Sequence, residues 1–142
     1  MVSKKYVRSS FRGWDNNVFL VLAIPKIDFR RNVYSFDSSL NNVDKNVMLL
    51  NETDVTRKNF FLAGHSGTAS NCFFNDLIYL DVMDNVYIYY KDKVFKYVIM
   101  DIFYIEKNGF LSVDDEDGVL FLITCSLKYS GMQLIIKGVI YE

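Results

Sequence analysis

Apolar residues in this chain fall in short runs separated by polar turns, the pattern of a protein built from strands. Val18–Ile27 is nearly continuous and predicts a buried first strand, with Pro25 near its end, where a missing amide hydrogen is tolerated. Asn32–Phe36 predicts a second short strand. Asp37–Arg57 predicts a turn-rich segment with one helical turn near Leu40–Val43, and Phe60–Ala63 a strand that stops at Gly64. Cys72–Leu80 instead spaces Phe73, Phe74, Leu77, Ile78 and Leu80 as one helical face, with Ser70 and Asn71 as candidate caps.

Val86–Tyr90 and Val94–Met100 flank Lys91-Asp92-Lys93 and predict a hairpin, with Ile102–Ile105 continuing its second arm after a bend. Val119–Cys125 and Gln133–Ile140 predict the last two strands. Many short strands and one helix predict an all-β fold, a closed antiparallel barrel.

Composition narrows the function. Hydrophobic residues make up 51% of the 142, with 12 Phe, 10 Tyr and a single Pro, enough for one well-packed domain. That domain is expected to span residues 18–142, behind a solvated arm, residues 1–17, carrying Lys4, Lys5, Arg8 and Arg12. The net charge is −1 and no basic cluster interleaves with aromatics, which argues against a nucleic-acid partner. The seven-residue run Val18–Ile24 is far short of the roughly 20 residues a spanning helix needs. Contact with a membrane is therefore expected only through an anchor the sequence does not display.

Two apolar runs end on reactive side chains. Phe121-Leu122-Ile123-Thr124 leads to Cys125, and Phe60-Phe61-Leu62-Ala63-Gly64 leads to His65, the only histidine. A thiol and an imidazole delivered by two strand ends are the minimal equipment of cysteine nucleophilic catalysis. Taken alone, a single histidine is more often a satisfied core residue, and a free cysteine more often a small buried hydrophobe.

The surrounding motifs reverse that preference. FLAGHSG and FLITC, 60 residues apart, together resemble the sortase family of cysteine transpeptidases. Three other segments extend the resemblance from about Leu22 to the end of the chain: Ala23-Ile24-Pro25-Lys26-Ile27, Phe73-Phe74-Asn75-Asp76-Leu77 and Gln133-Leu134-Ile135-Ile136-Lys137-Gly138. The signature Thr-Leu-x-Thr-Cys has Phe121 in its first position. The resemblance implies an eight-stranded β-barrel with one or two short helices and its site at one end of the strands. It implies cleavage of a sorting-signal peptide near the C-terminus of secreted proteins, usually between Thr and Gly. A thioester on the cysteine is then resolved by an amine from a cell-wall precursor or a pilin. It implies no metal or organic cofactor.

Carried onto this chain, the resemblance makes Cys125 the nucleophile and His65 the acid and base. A free thiol titrates near ~8.5 and imidazole near ~6.5, so their ion pair is expected to be a minority form at neutral pH. Where the family carries an arginine at the start of the last strand, this chain has Gln133. An amide donates hydrogen bonds but supplies neither charge nor a bidentate fork. Lys128 is a candidate for the missing charge, whereas Lys137 lies roughly 13 Å along the strand from Gln133. A binding module that turns over sorting peptides poorly is therefore the alternative to an active enzyme. Leu62, Ala63, Ser66 and Thr124 flank the two reactive residues, and peptide contact and barrel packing are equally balanced for them. Asp114-Asp115-Glu116-Asp117-Gly118 lacks the spacing of a calcium loop and is expected to be a solvated turn. Cys72 is expected to be structural.

Overall fold

Eight strands form one sheet that curls into a nearly closed barrel: β1 (Val18–Ile24), β2 (Phe29–Tyr34), β3 (Met48–Leu49), β4 (Phe60–Ala63), β5 (Asn85–Tyr90), β6 (Lys93–Glu106), β7 (Val119–Cys125) and β8 (Met132–Ile140). The computed structural model describes residues 17–107, 109, 111, 113 and 115–141. The basic arm, apart from Asn17, and Asp114 of the acidic run lie outside them.

The strand order is β2-β1-β5-β6-β8-β7-β4-β3. All described ladders are antiparallel except β4 against β7, which run parallel. The first and last strands of that order meet at a seam, bridged by Arg31 Nη2 donating to Asn46 Oδ1 at 3.1 Å. Strands and not helices carry the fold, as the pattern predicts.

Alternation divides the side chains into two apolar clusters. Leu20, Leu22, Val33, Phe60, Leu62, Ile88, Tyr97, Leu120, Leu122, Leu134 and Ile136 point inward and fill the barrel. Phe61, Val119, Phe121 and Ile135 point the other way, joined by the partly buried Leu50, Phe103, Ile105, Leu111 and Ile123. Phe61 and Phe121 stack at 5.0 Å. Both faces of β7 are therefore apolar, which explains why its sequence reads as an unbroken run.

The bend expected in the long hairpin arm is a β-bulge. β8 pairs Lys137 with Asp101 and then Gly138 with Ile99, skipping Met100. The extra residue reverses the alternation of β6: Phe95, Tyr97 and Ile99 face inward before it, and Phe103 and Ile105 face outward after it.

The segment Cys72–Leu80 departs from expectation. It holds a five-residue 3-10 helix, Asn75–Tyr79, whose first flanking residue is Phe74, with no side-chain cap. Phe74 and Leu77 are buried in the barrel core, while Ile78 and Tyr79 are exposed. With Leu80, also buried, Phe74 and Leu77 form inward anchors spaced three residues apart, enough to hold a short 3-10 turn whose length tertiary packing sets. Asn71 does not cap it; its side-chain amide donates to the Asp44 carbonyl at 3.1 Å. Two further 3-10 turns, Pro25–Ile27 and Val55–Arg57, follow β1 and precede β4.

Candidate active site

The parallel ladder between β4 and β7 sets the site. Phe60, Phe61, Leu62 and Ala63 pair with Leu120, Phe121, Leu122 and Ile123, a constant offset of 60 residues. The Gly64 amide continues the ladder by donating to the Ile123 carbonyl at 3.1 Å. The last paired residues are Ala63 and Ile123, two residues before His65 and Cys125, so the two apolar runs end side by side. On the other flank of β7, Gln133 pairs with Cys125, and Ile105 on β6 pairs with Gln133. Cys125, Gln133 and Ile105 thus follow one another across three adjacent strands, and His65 lies in the turn that leaves β4.

Local contacts hold the two reactive ends together. Ser66 Oγ donates to the Cys125 carbonyl at 2.6 Å, stapling the histidine turn to the end of β7. The Phe74 amide donates to the His65 carbonyl at 2.9 Å, and the Gly67 amide donates to Asn75 Oδ1 at 3.1 Å. Gly64 is required here, because a Cβ at this position would lie 2.9 Å from the Phe74 ring. Cys125 is a free, partly buried thiol, as is Cys72.

His65 Nε2 lies 2.8 Å from Asp44 Oδ1. A carboxylate accepts and does not donate, so the ring hydrogen of this contact sits on Nε2 and Nδ1 is the nitrogen left open. Sequence reasoning missed Asp44. It is one acidic residue in a polar turn, 21 positions before the histidine, and no local pattern distinguishes it from its neighbours.

The flanking candidates separate. Ala63 and Ile123 lie on the outward face and are partly exposed. Leu62 is fully buried in the barrel core and Thr124 is 3% exposed, so both pack into the barrel. Strand alternation is the reason: one position along a strand reverses the face. The Thr124 hydroxyl is buried without a hydrogen-bond partner among the described residues. The Ser66 hydroxyl is engaged with Cys125, as described.

Lys128 is exposed in the β7–β8 turn, where its ammonium lies 5.3 Å from the Tyr129 ring and its amide donates to Ser126 Oγ at 3.1 Å. Lys137 Nζ pairs with Glu116 Oε1 at 2.8 Å. Neither lysine is hydrogen-bonded or ion-paired with Cys125 or Gln133, and the Gln133 side-chain amide makes no hydrogen bond to any described residue.

Beside the reactive row, the outward cluster floors an apolar cavity of about 260 Å³ lined by Leu50, Glu52, Phe61, Gly109, Leu111, Val113 and Ile123. The acidic run forms part of the neighbouring loop and is tethered. Arg57 binds Asp115 at 2.6 Å and Asp117 at 2.5 Å, and Asn59 Nδ2 donates to the Glu116 carbonyl at 2.8 Å. These carboxylates raise the Arg57 pKa, chiefly through the Asp117 hydrogen bond. The described part of the run is thus an ion-paired turn.

A strand-end thiol next to a histidine-bearing turn, on an eight-stranded barrel beside an apolar groove, fits a sortase-type architecture. The family model for the Sortase domain matches residues 22–140, and the chain belongs to the sortase family. Solved structures agree on the fold. Sortase C-1 from Actinomyces oris superposes with a TM-score of 0.75 at 22% identity, over 89% of this chain and 76% of that one. Sortase C1 from Streptococcus suis gives 0.75 at 23% identity, over 89% and 74%. Listeria monocytogenes sortase A gives 0.74 at 18% identity, over 89% of each. The chain spans 61% of the length of Corynebacterium diphtheriae sortase A. No curated protein matches.

Proposed function

We propose that this chain is an active cysteine transpeptidase, with residues 18–142 as its catalytic unit. It cleaves a sorting-signal peptide of secreted proteins and passes the acyl group to an amine of a cell-wall precursor or a pilin. Family membership supports action at the outer face of the cell membrane or in the cell wall. The observation that supports the reading is the pairing of Cys125 with Gln133, together with the bond from Ser66, next to His65, to the Cys125 carbonyl.

In this reading the Cys125 thiolate attacks the scissile carbonyl carbon, and the C=O electron pair moves onto oxygen. As the intermediate collapses, the C–N bond breaks and the protonated His65 gives its proton to the leaving amine. The neutral imidazole then takes a proton from the acceptor amine as that amine attacks the thioester, and Cys125 leaves as thiolate. The Gln133 amide donates to the oxyanion. Ala63 and Ile123 contribute the peptide-facing floor.

The second reading, a peptide-binding module with little turnover, is favoured by one observation: Gln133 brings no positive charge to the thiolate or oxyanion. Mass spectrometry after mixing the protein with a library of sorting-signal peptides separates the two. The transpeptidase reading expects an acyl adduct on Cys125 that an added amine discharges, absent in Cys125→Ala and retained in Cys72→Ala. Peptide binding without any adduct would overturn it.

A further inference from the structure

We infer that Asp44 is a positioning residue for His65, fixing which imidazole nitrogen faces the thiol. The inference rests on the proposed role of His65 as acid and base.

The observations concern how firmly the carboxylate is held. The Asp44 amide donates to Asn42 Oδ1 at 2.8 Å, and its carbonyl accepts from Asn71 Nδ2 at 3.1 Å. The Lys45 and Asn46 amides both close on the Asn42 carbonyl at 2.9 Å. Asn46 then ties the loop at two points, donating to the Leu40 carbonyl at 3.0 Å and accepting from Arg31. Asn41 clamps Leu49 through both its donor and its acceptor. Val47, next in the chain, is fully buried. The loop is therefore built from both sides, and its one carboxylate at this point is directed at the only imidazole in the protein.

Stability does not explain the arrangement. The Asp44 side chain is 75% exposed and that of His65 36%, and such surface pairs stabilise a fold little. Geometry explains it better. With Nε2–H given to Asp44, Nδ1 carries the lone pair in the neutral ring and the transferable proton in the charged one. Both forms are what a partner of Cys125 needs. A negative charge at this contact also complements the imidazolium, the one cation this row offers when the arginine position holds glutamine.

A single histidine makes the test direct. In 15N-histidine-labelled protein the two ring nitrogens give one pair of signals, so tautomer and Nε2–H hydrogen bonding are read without assignment. We expect the parent to show a hydrogen-bonded Nε2–H, lost in Asp44→Ala. Asp44→Asn is expected to move the ring toward Nδ1–H, because its amide can donate to Nε2. Acylation of Cys125 by a sorting-signal peptide should slow at least about tenfold in Asp44→Ala, within the ~10²–10⁴ that acid–base catalysis supplies in full. Asp44→Glu should recover most of that rate, with the thermal midpoint and KM little changed throughout. An Nε2–H signal and an acylation rate unchanged in Asp44→Ala would overturn the inference, as would a rate loss matched by equal loss of thermal stability. If the parent alkylates at Cys125 with iodoacetamide but never acylates, the transpeptidase reading fails. The nitrogen spectra and alkylation rates then still decide the role of Asp44.

Discussion

Gln133 on β8 stands directly opposite Cys125 on β7, so amide and thiol project from the same face of two neighbouring strands. In the proposed mechanism this proximity lets the side-chain amide reach an oxygen bound at the sulfur. The pairing sets the glutamine beside Cys125, and its side-chain amide has no hydrogen-bond partner among the described residues.

Removing that amide should therefore cost rate. Losing one oxyanion donor typically slows acyl transfer ~10²–10³-fold, which bounds the expected effect of Gln133→Ala on single-turnover acylation. Gln133→Arg should accelerate acylation within the same bound, because charge and a second donor are added. A Gln133→Ala variant as fast as the parent would remove Gln133 from the mechanism.

Ser66→Ala tests the staple between the histidine turn and β7. Loss of the hydroxyl leaves the Cys125 carbonyl without this donor, a change worth about 0.5–1.5 kcal/mol in urea-melt stability. Acylation should fall by more than stability alone predicts, since the two reactive ends are no longer tied. Equal acylation rates in parent and variant would show that the strand register alone aligns them.

Two glycines should resist substitution for different reasons. At Gly64 a methyl group meets the buried Phe74 ring at 2.9 Å, and the backbone is held to β7 by its bond to the Ile123 carbonyl. At Gly118 the backbone has φ of +71° and a Cβ would strike the Ile140 side chain. Alanine at either position is expected to lower stability by about 1–3 kcal/mol. Thermal melts should also separate them: Gly64→Ala disturbs the site, and Gly118→Ala the entry to β7.

Asp84 sets an acid limit on stability. Its carboxylate accepts from the Asp81 amide at 2.8 Å and from Lys26 Nζ at 3.1 Å, joining the turn before β5 to the turn after β1. Those contacts, the Asp81 amide first, hold its pKa below the ordinary value of 3.8. A depressed folded-state pKa stabilises above the unfolded value and is lost as pH falls through the folded one. Urea midpoints should therefore drop below about pH 4, and Asp84→Asn should flatten that part of the curve. An identical acid profile in the variant would assign the limit to other carboxylates.

Much of the barrel was legible in the chain because strand periodicity is local. Phe60–Ala63 and Val119–Cys125 are strands at the residues their apolar runs mark, and the Lys91-Asp92 turn closes the hairpin where its polar break falls. His65 and Cys125 stand out as candidates for the same reason: each is the first reactive group after such a run. What sequence could not supply depends on register and packing. Whether Leu62 or Ala63 faces a peptide turns on one step of alternation, set by the parallel pairing of β4 with β7. The Cys72–Leu80 segment carries a helical pattern, yet the barrel core takes Phe74, Leu77 and Leu80, three residues apart, and leaves a 3-10 turn. Asp44 comes to His65 through a loop whose asparagine contacts are long-range and unpatterned. Local propensity determined the strands and their reactive ends; long-range pairing decided what those ends meet, because hydrogen-bond partners far apart in sequence leave no periodic trace.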